Sequence, residues 1–155
     1  MVQAYRVAAW GVALAGTMLL GACLGTAPPL TPIQGTVELP AQARVVLRGV
    51  DGDILKFHVF NLSDKFLLVA RDEIALSCSK GTRHRKPGGS ESYYTIPPGG
   101  EHAVNVRFSF AELAVGETVS VVFDRALLRD GNPLPEHIPP ISLRVEKRPE
   151  PRPVM

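Results

Sequence analysis

The side chains of this 155-residue chain best suited to covalent chemistry are its two cysteines, Cys23 and Cys78. A thiolate is the reactive form of cysteine, and a nearby cation or base is needed to lower the thiol pKa. Cys78 is followed by Lys80, Arg83 and His84, which are neighbours of that kind. A lone thiol at a strand end is also a small apolar side chain that suits a core, and this interpretation of Cys78 is favoured.

The first 22 residues have the composition of an export signal. Residues 7–22 (VAAWGVALAGTMLLGA) contain no ionisable side chain and follow Arg6. A positive start before an apolar run of about 7–15 residues is typical of a secretory signal peptide, whereas a transmembrane helix needs about 20 apolar residues. We therefore expect residues 1–22 to be a signal peptide. A retained membrane anchor and ordinary cleavage with release are the alternatives.

The end of this run, Leu20-Gly21-Ala22-Cys23, resembles the lipobox of bacterial lipoproteins. In that family the cysteine sulfur receives a diacylglycerol, a peptidase cuts before the cysteine, and the new amine is acylated. The resemblance implies that Cys23 is the lipidation site, that these lipid groups are the only cofactors, and that they hold the protein on a membrane. Leu24, where Asp would retain an enteric lipoprotein in the inner membrane, implies a periplasm-facing outer-membrane lipoprotein. Anchoring in the inner membrane is the alternative.

The densest local charge is a basic segment at residues 80–86 (KGTRHRK), which has four fixed positive charges. We expect it to be a flexible connection between strands. Each basic residue near an anionic surface contributes about 1 kcal/mol, so the segment is a candidate contact for lipid headgroups, phosphate or an acidic partner. The alternative is a solvated loop whose charge limits aggregation. The candidate contact residues are Lys80, Arg83, His84, Arg85 and Lys86.

The remaining polar residues predict no metal site and no catalytic centre. The four histidines, His58, His84, His102 and His137, lie at no metal-binding spacing. Motifs of nucleotide-binding proteins, serine hydrolases and zinc proteases are absent from the sequence. The balance of 17 Lys+Arg against 15 Asp+Glu argues against nucleic acid as a partner. A small envelope enzyme, built on Cys78 or on carboxylates distant in sequence, is a less favoured alternative.

Proline content divides the rest of the chain into a tether, a domain and a tail. Residues 23–35 contain three prolines and predict an extended, lipidated tether that reaches about 40 Å. Residues 148–155 (RPEPRPVM) also contain three prolines and predict a flexible tail. The folded domain is expected at residues 36–147.

Alternating apolar residues within that domain predict short β-strands. Leu55, Phe57 and Val59 share one strand face, and residues 102–110 and 118–124 repeat the pattern. Asp51-Gly52 is a favoured hairpin turn. About seven or eight short strands, each with one apolar face, predict an all-β antiparallel domain. It resembles an immunoglobulin-like or fibronectin-like β-sandwich in general pattern only.

These features together predict a membrane-anchored, non-catalytic lipoprotein. It is expected to be a binding or accessory component of a cell-envelope assembly, with another envelope protein as its partner. An anion- or ligand-binding module that uses residues 80–86 is the alternative. Tyr93 and Tyr94 place one aromatic ring on each face of a strand, so one of them is a candidate exposed contact. The sequence leaves open which tyrosine that is, and it leaves open the oligomeric state.

Overall fold

The computed structural model of this chain describes residues 27–86 and 91–150. The regular structure of these residues is β-strand, apart from one turn of 3-10 helix at Arg71–Glu73. The predicted all-β class is therefore confirmed. The predicted signal peptide, Cys23 and the last five residues of the predicted tail lie outside the described residues.

The described residues contain thirteen strands. Their bounds are β1 (Leu30–Gln34), β2 (Thr36–Leu39), β3 (Ala43–Asp51), β4 (Ile54–Asn61), β5 (Leu67–Ala70), β6 (Ala75–Cys78), β7 (Gly81–His84), β8 (Tyr93–Ile96), β9 (Glu101–Arg107), β10 (Thr118–Val122), β11 (Leu127–Arg129), β12 (Asn132–Pro133) and β13 (Ile141–Val145).

These strands form three antiparallel sheets. The five-stranded sheet has the order β1-β13-β10-β6-β7. The two four-stranded sheets have the orders β2-β3-β4-β9 and β12-β11-β5-β8. The chain passes from the first sheet to the second at Gly35, between β1 and β2, and strands β1 and β7 form the two edges of the five-stranded sheet.

All three sheets contribute side chains to one apolar core. Leu55, Phe57 and Val59 on β4 are fully buried, as their alternation predicts. The ring of Phe57 meets that of Phe123 edge to face, with centroids 5.4 Å apart, and so joins β4 to the segment after β10. Full burial of each such side chain contributes about 1.5–3 kcal/mol. This core fixes the loops that carry the candidate functional residues.

The β3–β4 hairpin turns one residue later than the sequence suggests. Asp51 pairs with Ile54, so the two turn residues are Gly52 and Asp53. Gly52 has a φ of +59°, a left-handed conformation that glycine adopts without steric cost. The turn places the Asp53 side chain within reach of Lys86 and of Arg107 at the end of β9, where it takes part in the candidate site.

Part of the expected tether is a strand. Residues 30–34 form β1, which runs antiparallel to β13 and pairs Leu30 with Val145. The prolines that suggested an extended tether are compatible with a strand here because β1 is a sheet edge, and its pairing shifts between Pro32 and Gln34. The regular structure of the domain therefore starts at residue 30.

Candidate functional site

The basic segment contains a strand, where the sequence suggested a flexible connection. Gly81–His84 form β7, and the pairing with β6 runs from Gly81 opposite Cys78 to His84 opposite Ala75. Backbone hydrogen bonds, which need no apolar side chains, hold this strand at the sheet edge. The segment therefore lacks the alternation of apolar residues from which a strand is predicted.

Arg83 on β7 makes contacts that hold the fold together. Its Nη1 donates hydrogen bonds to the carbonyl oxygens of Ser109 at 2.7 Å and Ala111 at 2.8 Å. Both carbonyls belong to the connection between β9 and β10, which we call the β9–β10 loop (residues 108–117). The guanidinium group therefore fastens this loop to the edge strand.

Arg85 and Lys86 are paired with carboxylates. Arg85 Nε donates to Asp72 Oδ1, and this hydrogen bond is the main reason that the pKa of Asp72 lies below its ordinary value. Lys86 Nζ lies 3.2 Å from Asp53 Oδ2, and Arg107 Nε lies 3.2 Å from the other oxygen of that carboxylate. These pairs connect the end of the basic segment to the helical turn and to the β3–β4 hairpin.

Lys80 and His84 differ from the other three candidates. Both are exposed, and no hydrogen bond or ion pair joins their side chains to the residues that the structure describes. The five predicted contact residues therefore differ in their surroundings. Arg83, Arg85 and Lys86 bind carbonyls or carboxylates of the fold, although Lys86 is exposed as well.

Glu117 is a structural residue that the sequence did not single out. Its carboxylate accepts hydrogen bonds from the backbone N–H of Ser79 at 2.6 Å and of Ala114 at 3.1 Å. Hydrogen bonds from Ser79 are the main reason that the pKa of Glu117 lies below its ordinary value. Glu117 thus joins the β6–β7 turn to the β9–β10 loop, and no local motif predicts contacts between residues so distant in sequence.

A cavity of about 730 Å³ lies where the described chain begins. Its walls include Ala27, Pro28, Phe110 and Leu113, together with charged residues from four parts of the chain. Lys86 and Arg148 are the basic residues of the lining, and Asp53 and Glu112 are the acidic ones. The lining is therefore mixed in polarity and balanced in charge, which does not select for an anion.

Asn61, the last residue of β4, is the most buried polar side chain among the residues that the structure describes. It is 1% exposed, and its Nδ2 donates to the carbonyls of Lys65, Ile96 and Pro97 at 2.6, 3.0 and 3.1 Å. Its Oδ1 accepts hydrogen bonds from the backbone N–H and hydroxyl of Ser63. The amide therefore stabilises the polar turn after β4.

The second cysteine and the histidines occupy separate environments. Cys78 is half-buried against the core, and its thiol donates to the carbonyl of Gly81 at 3.3 Å. His58 Nδ1 lies 4.0 Å from Glu101 Oε2, and His137 Nδ1 lies 3.2 Å from Asp124 Oδ1. Within residues 27–86 and 91–150, no three His, Cys, Asp or Glu side chains are grouped so that they could hold a metal ion.

The structure distinguishes the two adjacent tyrosines. Tyr93 is 61% exposed, whereas Tyr94 is packed against the core. The hydroxyl of Tyr94 accepts a hydrogen bond from Arg71 Nη1 at 3.2 Å, and its ring lies 4.4 Å from that of His102. Tyr93 is therefore the exposed one of the two tyrosines, which the sequence left open.

No protein-family profile, curated protein or solved structure matches this chain. None of the residues described here forms a helix of the length and apolar character needed to cross a membrane.

Proposed function

We propose that this protein is a bacterial lipoprotein, acylated at Cys23, whose all-β domain is a non-catalytic component of a cell-envelope assembly. The observation that carries the proposal is the position of Cys23 between an apolar segment and a separate fold. The apolar run ends at Ala22, and β1 starts at Leu30. The core of the described domain is formed by residues from Leu30 to Val145.

This arrangement suits a lipid anchor. Two or three acyl chains bind a membrane far more firmly than one chain, so cleavage before Cys23 would release the apolar segment while the protein stays attached. We propose the periplasmic face of the outer membrane as its location, on the basis of Leu24. An immunoglobulin-like sandwich is the architecture that we propose for the three antiparallel sheets.

The contacts of the basic segment favour an accessory role over an anion-binding module. Arg83 binds two backbone carbonyls, and Arg85 and Lys86 pair with carboxylates. A site that used these cations for an anionic ligand would have to break contacts that stabilise the fold. Tyr93 is instead an exposed aromatic side chain of the kind that supports protein binding.

Intact mass and membrane fractionation test the anchor, with the second cysteine as a matched control. The wild type and Cys78→Ala are expected to begin at Cys23, to carry acyl mass and to sediment with membranes. Cys23→Ala is expected to lack the acyl mass and to move to the soluble fraction. If the wild type retains Met1 and Cys23→Ala stays in the membrane, the lipoprotein proposal is wrong and residues 7–27 act as a permanent anchor.

Crosslinking in intact envelopes tests the accessory role. The acylated wild type is expected to capture a specific envelope protein, and Tyr93→Ala is expected to reduce that capture, while Tyr93→Phe retains it. Recovery of the same background proteins from the wild type and from an unrelated lipoprotein would contradict a role in an assembly, even if the anchor is confirmed.

A further inference from the structure

Ala27, the first residue that the structure describes, lies at the end of the domain that carries the β3–β4 turn. Ala27 and Pro28 line the cavity beside the turn residues Gly52 and Asp53. The carbonyl of Pro29 accepts a hydrogen bond from the backbone N–H of Glu146 at 2.8 Å. These contacts fix the point from which the chain continues back toward Cys23.

The β9–β10 loop lies at the same end. Ala111, Glu112 and Leu113 line the cavity together with Ala27. The backbone N–H of Gly116 donates to the carbonyl of Val145 at 2.8 Å, and Val145 is the strand partner of Leu30. The loop is therefore held directly beside the start of β1.

Val115 gives this loop an exposed apolar tip. Its side chain is 64% exposed, and it is one of four large apolar side chains in the described residues with high exposure. The neighbouring residues Leu113, Ala114 and Gly116 carry no charge. An apolar loop tip of this kind gains stability where it can leave water for the boundary between lipid headgroups and acyl chains.

The length of chain between Cys23 and the domain limits how far this end can be from the bilayer. Ala27 is four residues beyond Cys23, and four fully extended residues reach about 14 Å. The expected tether of 13 residues would have allowed the domain to turn any surface toward the membrane. The shorter distance strongly restricts that choice.

We propose that the β9–β10 loop rests on the membrane that carries the Cys23 acyl chains, and that Val115 contacts its lipids. This inference rests on the proposed lipidation of Cys23 and specifies which surface of the domain faces the bilayer. The opposite end, with the turn after β4, faces away from that membrane and is accessible to protein partners.

A tryptophan placed at each end tests the orientation. The only Trp of the sequence is Trp10, so a chain cleaved before Cys23 has none. Val115→Trp reports on the loop, and Phe66→Trp is the matched control. Phe66 is 63% exposed and follows the turn at the far end of β4, whose eight residues span roughly 25 Å.

Each acylated variant is reconstituted in vesicles of phosphatidylethanolamine and phosphatidylglycerol, with and without brominated acyl chains. Tryptophan at position 115 is expected to emit at shorter wavelength than tryptophan at position 66. Brominated lipid is expected to quench position 115 strongly and position 66 hardly at all, and aqueous acrylamide is expected to show the opposite preference. A Cys23→Ala, Val115→Trp chain produced without residues 1–22, and therefore without Trp10, is expected to lose most of the lipid quenching.

The outcomes separate this inference from the proposed function. The proposed orientation would be overturned if acrylamide and brominated lipid quench the acylated Val115→Trp and Phe66→Trp proteins to the same extent. That result would leave the lipoprotein proposal intact. A Val115→Trp protein with Cys23 intact that retains Trp10 or lacks acyl mass would overturn the lipoprotein proposal itself, and this inference with it.

Discussion

Replacement of Arg83 by alanine distinguishes a structural role of the basic segment from a binding role. If the segment is a ligand-binding surface, removal of one cation weakens binding and leaves the fold unchanged. The contacts of Arg83 predict the opposite result. Its Nη1 bridges the carbonyls of Ser109 and Ala111, so the Arg83→Ala domain is expected to unfold more easily.

The magnitude follows from the two hydrogen bonds. A hydrogen bond that involves a charged group contributes about 1.5–3 kcal/mol, and a neutral one contributes about 0.5–1.5 kcal/mol. Arg83 is half-buried, so water can hydrogen-bond in part to the loop carbonyls that its removal leaves without a donor. Each of the two hydrogen bonds is therefore expected to contribute no more than the low end of the charged range. We expect Arg83→Ala to lower the free energy of unfolding by about 2–3 kcal/mol.

Urea unfolding of the chain from Ala27 onward, followed by circular dichroism, measures this loss. Lys80→Ala is the matched control, because Lys80 belongs to the same segment, carries the same charge and makes no side-chain hydrogen bond or ion pair with the described residues. Its expected effect is within about 0.5 kcal/mol. Arg83→Lys is expected to fall between the two, because an ammonium group keeps the charge but loses the fork geometry of the guanidinium group.

Equal stability of Arg83→Ala and Lys80→Ala would refute this reasoning. Arg83 would then be available to a ligand, and the anion-binding alternative would regain support. Binding of the two variants to anionic vesicles, measured at the same time, would show whether that alternative holds.

Three further predictions concern the polar contacts of the fold. Asn61→Ala should lower the free energy of unfolding by about 3 kcal/mol, because three carbonyls lose a donor; Asn61→Asp should cost more, since a carboxylate in that place has no proton to donate, and urea titrations of both variants check the order. The folded-state pKa of Glu117 is below its ordinary value of 4.5. Its contribution to stability is therefore present above pH 4.5 and is lost as the pH falls through the lower folded-state pKa. Glu117→Gln should reduce this loss of stability in melting curves recorded at acid pH, and an unchanged pH dependence would contradict the prediction. Tyr94→Phe should cost about 1 kcal/mol through the lost contact with Arg71, whereas Tyr93→Ala should change stability by less than about 0.5 kcal/mol; equal losses would show that the two rings are not distinguished as described.

The strands that the sequence predicts well are those with one apolar face. β4 and β10 alternate along their length, as β9 does from Val104 onward, and the inward apolar residues are buried. Alternation reports burial of a sheet face, so it identifies strands that contribute side chains to the core. It also predicts the all-β class, because that class depends on the sum of such segments.

The strands that the sequence misses are short or lie at a sheet edge. β12 has only two residues, and β11 has three, which is too short for any periodicity to be visible. β1 contains a proline, and four of its five residues are exposed. These strands are held by backbone pairing with a neighbour, and the pairing depends on the position of a partner strand that is distant in sequence.

The candidate site was predicted as a set of charges, and the structure shows why charge alone was insufficient. Four cations in seven residues indicate exposure, but they do not reveal which of them meets a carbonyl or a carboxylate from elsewhere. Ser109 lies 26 residues from Arg83, and Asp53 lies 33 residues from Lys86. Contacts between residues so far apart in sequence depend on the order of the strands in the sheets, and no local sequence pattern specifies that order.

The two edges of the five-stranded sheet explain why a basic segment is there at all. An exposed edge strand offers unpaired N–H and C=O groups to other chains, and charged residues, prolines and irregular pairing are the usual protections. β7 contains Arg83 and is flanked by Lys80, Arg85 and Lys86, and β1 has Pro32 and the shift in pairing beside it. Edge protection thus accounts for the basic residues without any ligand. Edge protection does not account for the exposed side chains of Tyr93 and Val115, and these are the surfaces that we assign to a protein partner and to the membrane.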